Sequence, residues 1–187
     1  MADMFSIRTR RLILRDLTQR DVPHLNEFFT DPRITRYMRF IKTRSLRETR
    51  AWVKRAILHN RKRPRDAYSL AVVSKKDRKV VGWIGFGSAS EGKEHIGERD
   101  FGYAFRRDSW GQGFATESLS AIVDYIFGRL KGRSLFGENR IKNPSSGRVM
   151  EKCGFRRLPR RVRGMFPNHH CYVLTRKVWL RRSPPAD

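Results

Sequence analysis

The sequence predicts an α+β fold, in which helices pack with a sheet that contains antiparallel strands. Two observations support this. Apolar residues alternate with period 2 in several short runs, typical of strands, and recur at helical spacing in other segments. The predicted order is strand, two or three helices, three antiparallel strands, helix, strand, helix and two strands. We expect one domain over residues 1–180 and a disordered tail over residues 181–187.

The N-terminal segment predicts a strand followed by short helices. Residues 10–17 mix apolar and basic side chains, as a half-buried strand does. Thr18 at an N-cap position, with Asp21 in the first turn, predicts a helix to Phe29. Further helices are predicted over residues 34–40 and, from the capping box Ser45-x-x-Glu48, to about His59. Residues 67–73 and 80–86 predict a hairpin, and residues 89–97 a loop.

The central stretch, residues 101–130, predicts a strand, a glycine turn and a helix in succession. Phe101, Tyr103 and Phe105 alternate with smaller or polar residues, and apolar residues recur at helical spacing from Leu119 to Leu130. Between them lies Gly111-Gln112-Gly113. This order points backbone N–H groups and the positive end of a helix dipole at one place, which favours phosphate. The sequence lacks the P-loop lysine and the three-glycine dinucleotide fingerprint.

The C-terminal segment completes the predicted sheet. Residues 134–138 predict a strand, and residues 144–152 predict a helix that ends before a C′ glycine, Gly154. Residues 155–163 and 171–179 predict two closing strands. Pro159 confines the first of these to an edge or a bulge.

Charge is the unusual bulk property of the chain. Lys plus Arg number 42 against 18 Asp plus Glu, giving a net charge of +24. Such a field favours RNA, a ribosome surface or acidic proteins, although a solvated basic surface without a dedicated partner explains it equally well. A polyamine substrate is disfavoured. The two cysteines and five histidines have no metal-like spacing, so we expect no metal. Without a long apolar run or a signal core, we expect a cytoplasmic protein with no membrane contact.

A second cluster, Asn143-Pro-Ser-Ser146 with Gly154-Phe155 downstream, accompanies the glycine turn. Together they resemble the GNAT superfamily of N-acetyltransferases, which pairs a Q/R-x-x-G-x-G/A loop with a later N-x-x-A/S…G-F segment. RTRRLILRDL, TDPRITRYMRF and WGQGFATES are similar to stretches of its RimJ/RimL-like branch. The resemblance covers essentially the whole chain. It implies the GNAT acyl-CoA N-acyltransferase fold, with a mixed, mostly antiparallel central sheet flanked by helices.

The resemblance implies a site for acetyl-CoA as cosubstrate. Tyr103 and Phe105 would pair with the pantetheine arm between the central strand and a splayed neighbour, and Asn143 would bind the amide arm. Trp110 stands where the family has Gln or Arg, and for Trp110 and Phe114 packing against the helix is the alternative to ligand contact. The diphosphate would lie on the amides of Gly111, Gln112, Gly113, Phe114, Ala115 and Thr116.

The resemblance also suggests catalytic residues. Met150 occupies the position of the tyrosine that many members use as proton donor, so Ser146, also near the cofactor, becomes the candidate; unaided departure of the thiolate or protonation by water is the alternative. Glu138-x-Arg140-x-x-Asn143 resembles an E-x-R-x-x-N segment whose glutamate receives the amine proton. Asp100 is a rival base and Glu98 a weaker one. Glu117 is interpreted as complementing the helix dipole.

Three functions remain open from the sequence. The first is acetylation of the N-terminal amine of a protein or peptide, plausibly ribosomal, by a monomer or homodimer. The second keeps the chemistry but uses a small amine, such as an antibiotic or an amino acid, as acceptor. The third is a non-catalytic CoA- or RNA-binding module with the same fold.

Overall fold

The computed structural model describes residues 4–38, 41, 43–88, 99–159 and 168–182. Its Cα positions separate into two compact units, one of residues 1–86 and 102–118 and one of residues 87–101 and 119–187. No helix among the described residues is both long and apolar enough to cross a membrane.

The first unit contains the N-terminal strands and helices. Its elements are β1 (Ser6–Arg8), β2 (Leu12–Asp16), a 3-10 turn (Gln19–Asp21), α1 (Val22–Phe29), α2 (Pro32–Thr35), α3 (Leu46–Asn60), β3 (Tyr68–Ser74) and most of β4 (Val80–Ser88). It also contains residues 102–105 of the following strand, a 3-10 turn (Arg107–Ser109) and the first turn of the helix that starts at Phe114.

The second unit contains the remaining strands and helices. Its elements are the start of β5 (Arg99–Phe105), most of α4 (Phe114–Asp124), a π-helical segment (Tyr125–Arg129), β6 (Ser134–Arg140), α5 (Pro144–Lys152), β7 (Arg156–Arg157), β8 (His169–Thr175) and α6 (Arg176–Arg182).

The strands hydrogen-bond in the order β1-β2-β3-β4-β5-β6-β8-β7. β5 pairs with β6 in parallel, whereas β1 with β2, β2 with β3, β3 with β4, β6 with β8 and β7 with β8 are antiparallel. This is the mixed, mostly antiparallel sheet of the predicted α+β fold.

Helix starts follow the capping residues that the sequence indicated. Ser45 Oγ accepts from the Glu48 N–H at 3.2 Å, and Glu48 Oε2 accepts from the Arg44 N–H at 2.8 Å. Asp21 Oδ2 accepts from the Thr18 N–H at 2.7 Å and closes the 3-10 turn before α1. These side chains satisfy N–H groups that have no partner inside the helix, so the two capping predictions are confirmed.

Each unit has its own apolar core. In the first, helices α1 and α3 pack on the strands through fully buried residues that include Leu25, Phe29 and Val53. In the second unit, Ile122 from α4, Phe127 from the π-helical segment and Phe136 from β6 are almost entirely buried. Burying such a side chain contributes about 1.5–3 kcal/mol each, so packing rather than local propensity holds the elements in place.

The predicted strand over residues 171–179 is wrong at its C-terminal end. β8 stops at Thr175, and α6 begins at Arg176. Thr175 Oγ1 accepts from the Val178 N–H at 3.4 Å, and the Trp179 indole donates to Asp124 Oδ1 at 2.8 Å and packs 5.8 Å from the Phe127 ring. A cap and a long-range indole contact therefore stabilise a helix at residues 176–182, where the sequence predicted the end of a strand. Residues 181 and 182, predicted in the disordered tail, belong to this helix.

Smaller differences lie at other strand and helix ends. The sequence analysis missed β1, a three-residue strand. Of the helix predicted over residues 34–40, only residues 34 and 35 are helical, in α2, which begins at Pro32 because the Asp31 side chain accepts from the Arg33 N–H at 2.9 Å. Residues 36–38 are not helical, and residues 39–40 lie outside the described residues. Of the strand predicted over residues 155–163, the described residues 155–159 contain the two-residue β7, which lies at the sheet edge as Pro159 indicated, and residues 160–163 lie outside the described residues. The loop predicted over residues 89–97, Glu98 and residues 183–187 lie outside the described residues.

Candidate functional site

The glycine turn joins the end of β5 to the start of α4. Gly111 and Gly113 have φ angles of +75° and +77°, a backbone region that glycine enters without steric cost. The Glu117 N–H donates to the Gly113 carbonyl at 3.0 Å, which is the first hydrogen bond of the helical ladder. The N–H groups of Phe114, Ala115 and Thr116 therefore precede the ladder at the positive end of the helix dipole. Anion binding at this turn stays a prediction.

A network from the β1–β2 connection braces this turn. Glu117 Oε1 accepts from the Thr9 hydroxyl at 2.6 Å and from the Arg11 N–H at 2.8 Å. Arg11 Nε donates to Glu117 Oε2 at 2.6 Å, and Arg11 Nη1 donates to the Gln112 carbonyl at 2.9 Å. One guanidinium thus links the helix to the middle of the glycine turn. The sequence analysis had assigned Glu117 only to the dipole and had not considered Arg11.

The same network sets the charge state of Glu117. Burial alone would raise the pKa of this carboxyl, but the hydrogen bonds from Thr9 and Arg11 outweigh burial and lower the pKa. The Arg11 guanidinium also lies over the Phe114 ring, 4.8 Å from its centroid. A Cβ added to Gly113 would lie 3.4 Å from Arg11 Nη2. The Arg11–Glu117 ion pair therefore borders the glycine turn from which α4 starts.

The aromatic residues before the turn have different surroundings. Phe105 is buried, and its ring fills the space beside Gly82, where an added Cβ would lie 2.4 Å from Phe105 Cδ1. Tyr103 is half-buried, with its ring 6.2 Å from that of Phe105. The Trp110 indole donates to the Phe105 carbonyl at 2.9 Å, yet the residue is 51% exposed. Trp110 therefore caps the end of β5 while half of its surface faces solvent.

In the second unit, the two candidate bases lie on one face of the sheet. Asp100 of β5 pairs with Phe136 of β6, and paired residues of neighbouring strands share a face. Glu138 follows Phe136 by two residues and so lies on that same face. Asp100 and Glu138 are thus diagonal neighbours, a spacing within reach of long side chains. Their roles as bases stay predictions.

The other face of β6 packs against α5. A Cβ added to Gly137 would lie 2.6 Å from Phe101 Cζ and 2.7 Å from the Met150 sulfur. Met150, at the position of the family tyrosine, is 1% exposed and therefore serves the core of this unit. Ser146, half-buried, lies one helical turn before Met150 in α5. The candidate base Glu138 and the helix that carries the candidate acid Ser146 thus lie on opposite faces of β6.

A turn that joins β6 to α5 presents Asn143. The Asn143 N–H donates to the Arg140 carbonyl at 2.7 Å, and Asn139 Nδ2 donates to the carbonyls of Arg140 and Asn143, both at 2.8 Å. Asn143 is the N-cap residue of α5, but its side chain accepts no capping hydrogen bond among the described residues. The Asn139 amide, which the sequence analysis overlooked, therefore fixes the backbone of the turn. The signal in the sequence that could have indicated Asn139 is its position between Glu138 and Arg140, two residues of the E-x-R-x-x-N segment.

Metal chemistry has no visible basis in the described part of the chain. There, no three His, Cys, Asp or Glu side chains group as metal ligands would. Cys153 and Cys171 form no disulfide with each other, and burial raises the pKa of the Cys153 thiol.

Known proteins share the sequence pattern and the fold. The family model for the acetyltransferase (GNAT) domain matches residues 11–156. An uncharacterized N-acetyltransferase p20 from Bacillus licheniformis is 24% identical over 154 residues, covering 82% of this chain and 84% of its own. A GNAT-family acetyltransferase from Bacillus anthracis has a TM-score of 0.77 at 21% identity, over 92% of this chain and 99% of its own. RimL, a ribosomal alpha-N-protein acetyltransferase solved with coenzyme A, has a TM-score of 0.73 at 19% identity, over 91% and 98%.

Proposed function

The chain belongs to the GNAT acetyltransferase family, and we propose that the amine it acetylates is the N-terminal amine of a protein or peptide. The observation that carries its use of acetyl-CoA is the braced glycine turn. Two positive-φ glycines and the positive end of the α4 dipole fit an anionic diphosphate in shape and sign, and Arg11, which is ion-paired with Glu117, holds the turn in place. We assign the diphosphate to the amides between Gly111 and Thr116.

Two observations support a protein or peptide acceptor. The stretches RTRRLILRDL and WGQGFATES are similar to the RimJ/RimL-like branch, and RimL has the same fold. The net charge of +24 disfavours a small cationic substrate, because the field of the whole protein repels it. A peptide that carries acidic residues beside its terminal amine would instead be attracted.

The chain's own groups would act on the amine proton and the leaving group. When bound, acetyl-CoA supplies a thioester whose carbonyl carbon a neutral amine attacks as the carbon–sulfur bond breaks. Glu138 would accept the proton that the amine loses, with Asp100 as the rival on the same sheet face. Ser146 would donate a proton to the departing sulfur, unless water does so. The amides of the glycine turn would hold the diphosphate, and the side chain of Asn143 would hydrogen-bond the amide arm of the cofactor.

The experiment that tests this proposal measures thiol release from acetyl-CoA with a panel of peptides. Each peptide is supplied with a free N-terminus and with a blocked N-terminus that leaves one lysine side chain available. We expect thiol release only with the free N-terminus, and mass spectrometry should find the acetyl group there. Release with lysine, or with small amines but not with peptides, would overturn the proposed acceptor class while leaving the acetyltransferase intact.

A further inference from the structure

The exposed side of α3 carries a continuous row of cations. Arg47, Arg50 and Lys54 of α3 and Arg61, its C-cap residue, follow one another at three-, four- and seven-residue steps, so they lie along one side of the helix. Arg55 of α3 and Lys62, which follows the C-cap residue, flank this row. All six side chains are exposed, whereas Val53 of the same helix is fully buried. We call these six residues the basic face of α3.

Among the described residues, the cations of the basic face have no anionic partner. None of the six makes an ion pair or a side-chain hydrogen bond within the described part of the chain. Elsewhere in the same unit, acidic residues are paired with other arginines, as in Arg15 with Asp21, Arg33 with Asp31 and Arg65 with Asp16. The single acid of α3, Glu48, accepts from the Arg44 backbone N–H. The basic face is therefore available to an external anion.

Placing these charges together destabilises the helix. Arg47 and Arg50 are three residues apart, and Arg50 and Lys54 are four apart, so each pair lies close on the helix surface. Like charges at such spacings cost about 0.2–0.5 kcal/mol per pair. No interaction among the described residues offsets this repulsion, which an approaching polyanion would relieve.

We propose that the basic face of α3 binds the phosphate backbone of structured RNA. Arginine outnumbers lysine four to two in the face, and the guanidinium fork matches phosphate oxygens in a bidentate geometry. The helix has 15 residues, about 22 Å of length, and therefore spans several consecutive phosphates. Leu46 and Leu58 are the two large apolar side chains of α3 that are exposed, whereas membrane surfaces are bound by helices with a whole apolar face. RNA binding by the basic face does not depend on which amine accepts the acetyl group.

Two quadruple variants with equal net charge test the proposal. The first changes Arg47, Arg50, Lys54 and Arg61 to Gln. The second, the control, changes four exposed cations on other elements to Gln, namely Lys76, Lys79, Arg129 and Lys177. Each removes four positive charges, and heat unfolding verifies that both variants fold. Fluorescence anisotropy then measures affinity for a labelled RNA hairpin at salt concentrations between about 50 and 200 mM.

For the wild-type protein and the control, log affinity should fall steeply with log salt. For the α3 variant, affinity at the lowest salt should drop by at least about tenfold, and the slope should become shallower by about 3, because four phosphate contacts are lost. Equal losses in both variants would overturn the proposal, since the net field alone would then account for binding. Equally tight binding of poly-glutamate, or of vesicles rich in anionic lipid, at matched salt would overturn RNA as the partner.

Discussion

The Arg11 guanidinium and the Glu117 carboxylate meet at 2.6 Å, although the two residues are 106 positions apart in the sequence. This contact fastens the β1–β2 connection to the first turn of α4. Because Arg11 also donates to the Gln112 carbonyl, the glycine turn is held from both sides. The conformation of the glycine turn thus depends on the β1–β2 hairpin, about 100 residues earlier in the sequence, as well as on Gly111 and Gly113.

Changing Arg11 to Ala should weaken the use of acetyl-CoA. Losing a charge-assisted contact beside the diphosphate site corresponds to about 1.5–3 kcal/mol, or roughly a 10- to 100-fold rise in KM. Rates with S-acetyl-pantetheine, which lacks the diphosphate, should change little, and Arg11→Lys should recover part of the loss. The exposed neighbour Arg10, changed to Ala, is the control. Equal losses with both acetyl donors would show that Arg11 maintains the fold rather than the diphosphate site.

The lowered pKa of Glu117 makes stability depend on pH in a defined direction. A depressed carboxyl pKa stabilises the folded protein above the unfolded value of 4.5, and that contribution disappears as pH falls through the folded value. Urea unfolding at neutral pH and below pH 4.5 should therefore show a smaller acid-induced loss for Glu117→Gln than for the wild-type protein. If the two proteins lose equal stability on acidification, the Thr9–Arg11–Glu117 network does not set this pKa.

The stability of Gly111 variants should depend on how well each new residue tolerates a positive φ. No heavy atom lies within 4 Å of a Cβ added there, so backbone conformation alone decides the effect. Gly111→Val should destabilise the turn by at least about 1–2 kcal/mol, whereas Gly111→Asn should be milder because Asn tolerates this region. Gly128→Ala, whose new Cβ would make an ordinary 3.8 Å contact with Trp179, is the control. Affinity for coenzyme A, measured by calorimetry, should decline in the same order.

Glu138→Gln should lower kcat by about 10²-fold or more at neutral pH, because a general base contributes on that scale. Affinity for coenzyme A should be unchanged. The deficit should shrink as pH rises, because more of the acceptor amine is then already neutral. Asp100→Asn, on the same sheet face, should have the smaller effect. If Asp100→Asn lowers kcat more than Glu138→Gln does, Asp100 rather than Glu138 is the base. If the pH–rate profiles of both variants match that of the wild-type protein, neither carboxylate is the base.

Two substitutions of Asn139 separate its hydrogen bonds from its volume. Asn139→Ala removes donors to two carbonyls, which should cost about 1–3 kcal/mol of stability. Asn139→Asp keeps the volume but places a buried carboxylate against the same carbonyls and should be worse. Heat unfolding gives both values. If Asp is tolerated better than Ala, the amide does not hold the β6–α5 turn in the way described.

Local signals sufficed for much of the fold and for the glycine turn. Capping residues at Ser45 and Asp21, and the positions of Gly111 and Gly113, describe chemistry within a few residues, and the structure has these features where the sequence placed them. Such features depend on nearest neighbours along the chain, which a single sequence displays.

Features that depend on distant partners were missed. Arg11 braces the turn only because β1 and β2 form a hairpin beside α4, and nothing near Arg11 in the sequence indicates that contact. The sequence predicted a strand as far as residue 179, but the chain is helical from Arg176, where the Trp179 indole donates to Asp124 across 55 positions. Asn139 lies within the E-x-R-x-x-N segment, but only the geometry of the β6–α5 turn shows that its amide donates to two carbonyls of that turn.

Heat unfolding with and without coenzyme A tests most directly the claim that the turn between Gly111 and Thr116 binds a diphosphate. Coenzyme A at about 100 times its Kd should stabilise the wild-type protein by about 2.7 kcal/mol and raise Tm accordingly. In Gly113→Val, where a β-branched residue meets a φ of +77° and the Arg11 guanidinium, the shift should be lost. An unchanged Tm for the wild-type protein, or an equal shift in both, would contradict the account.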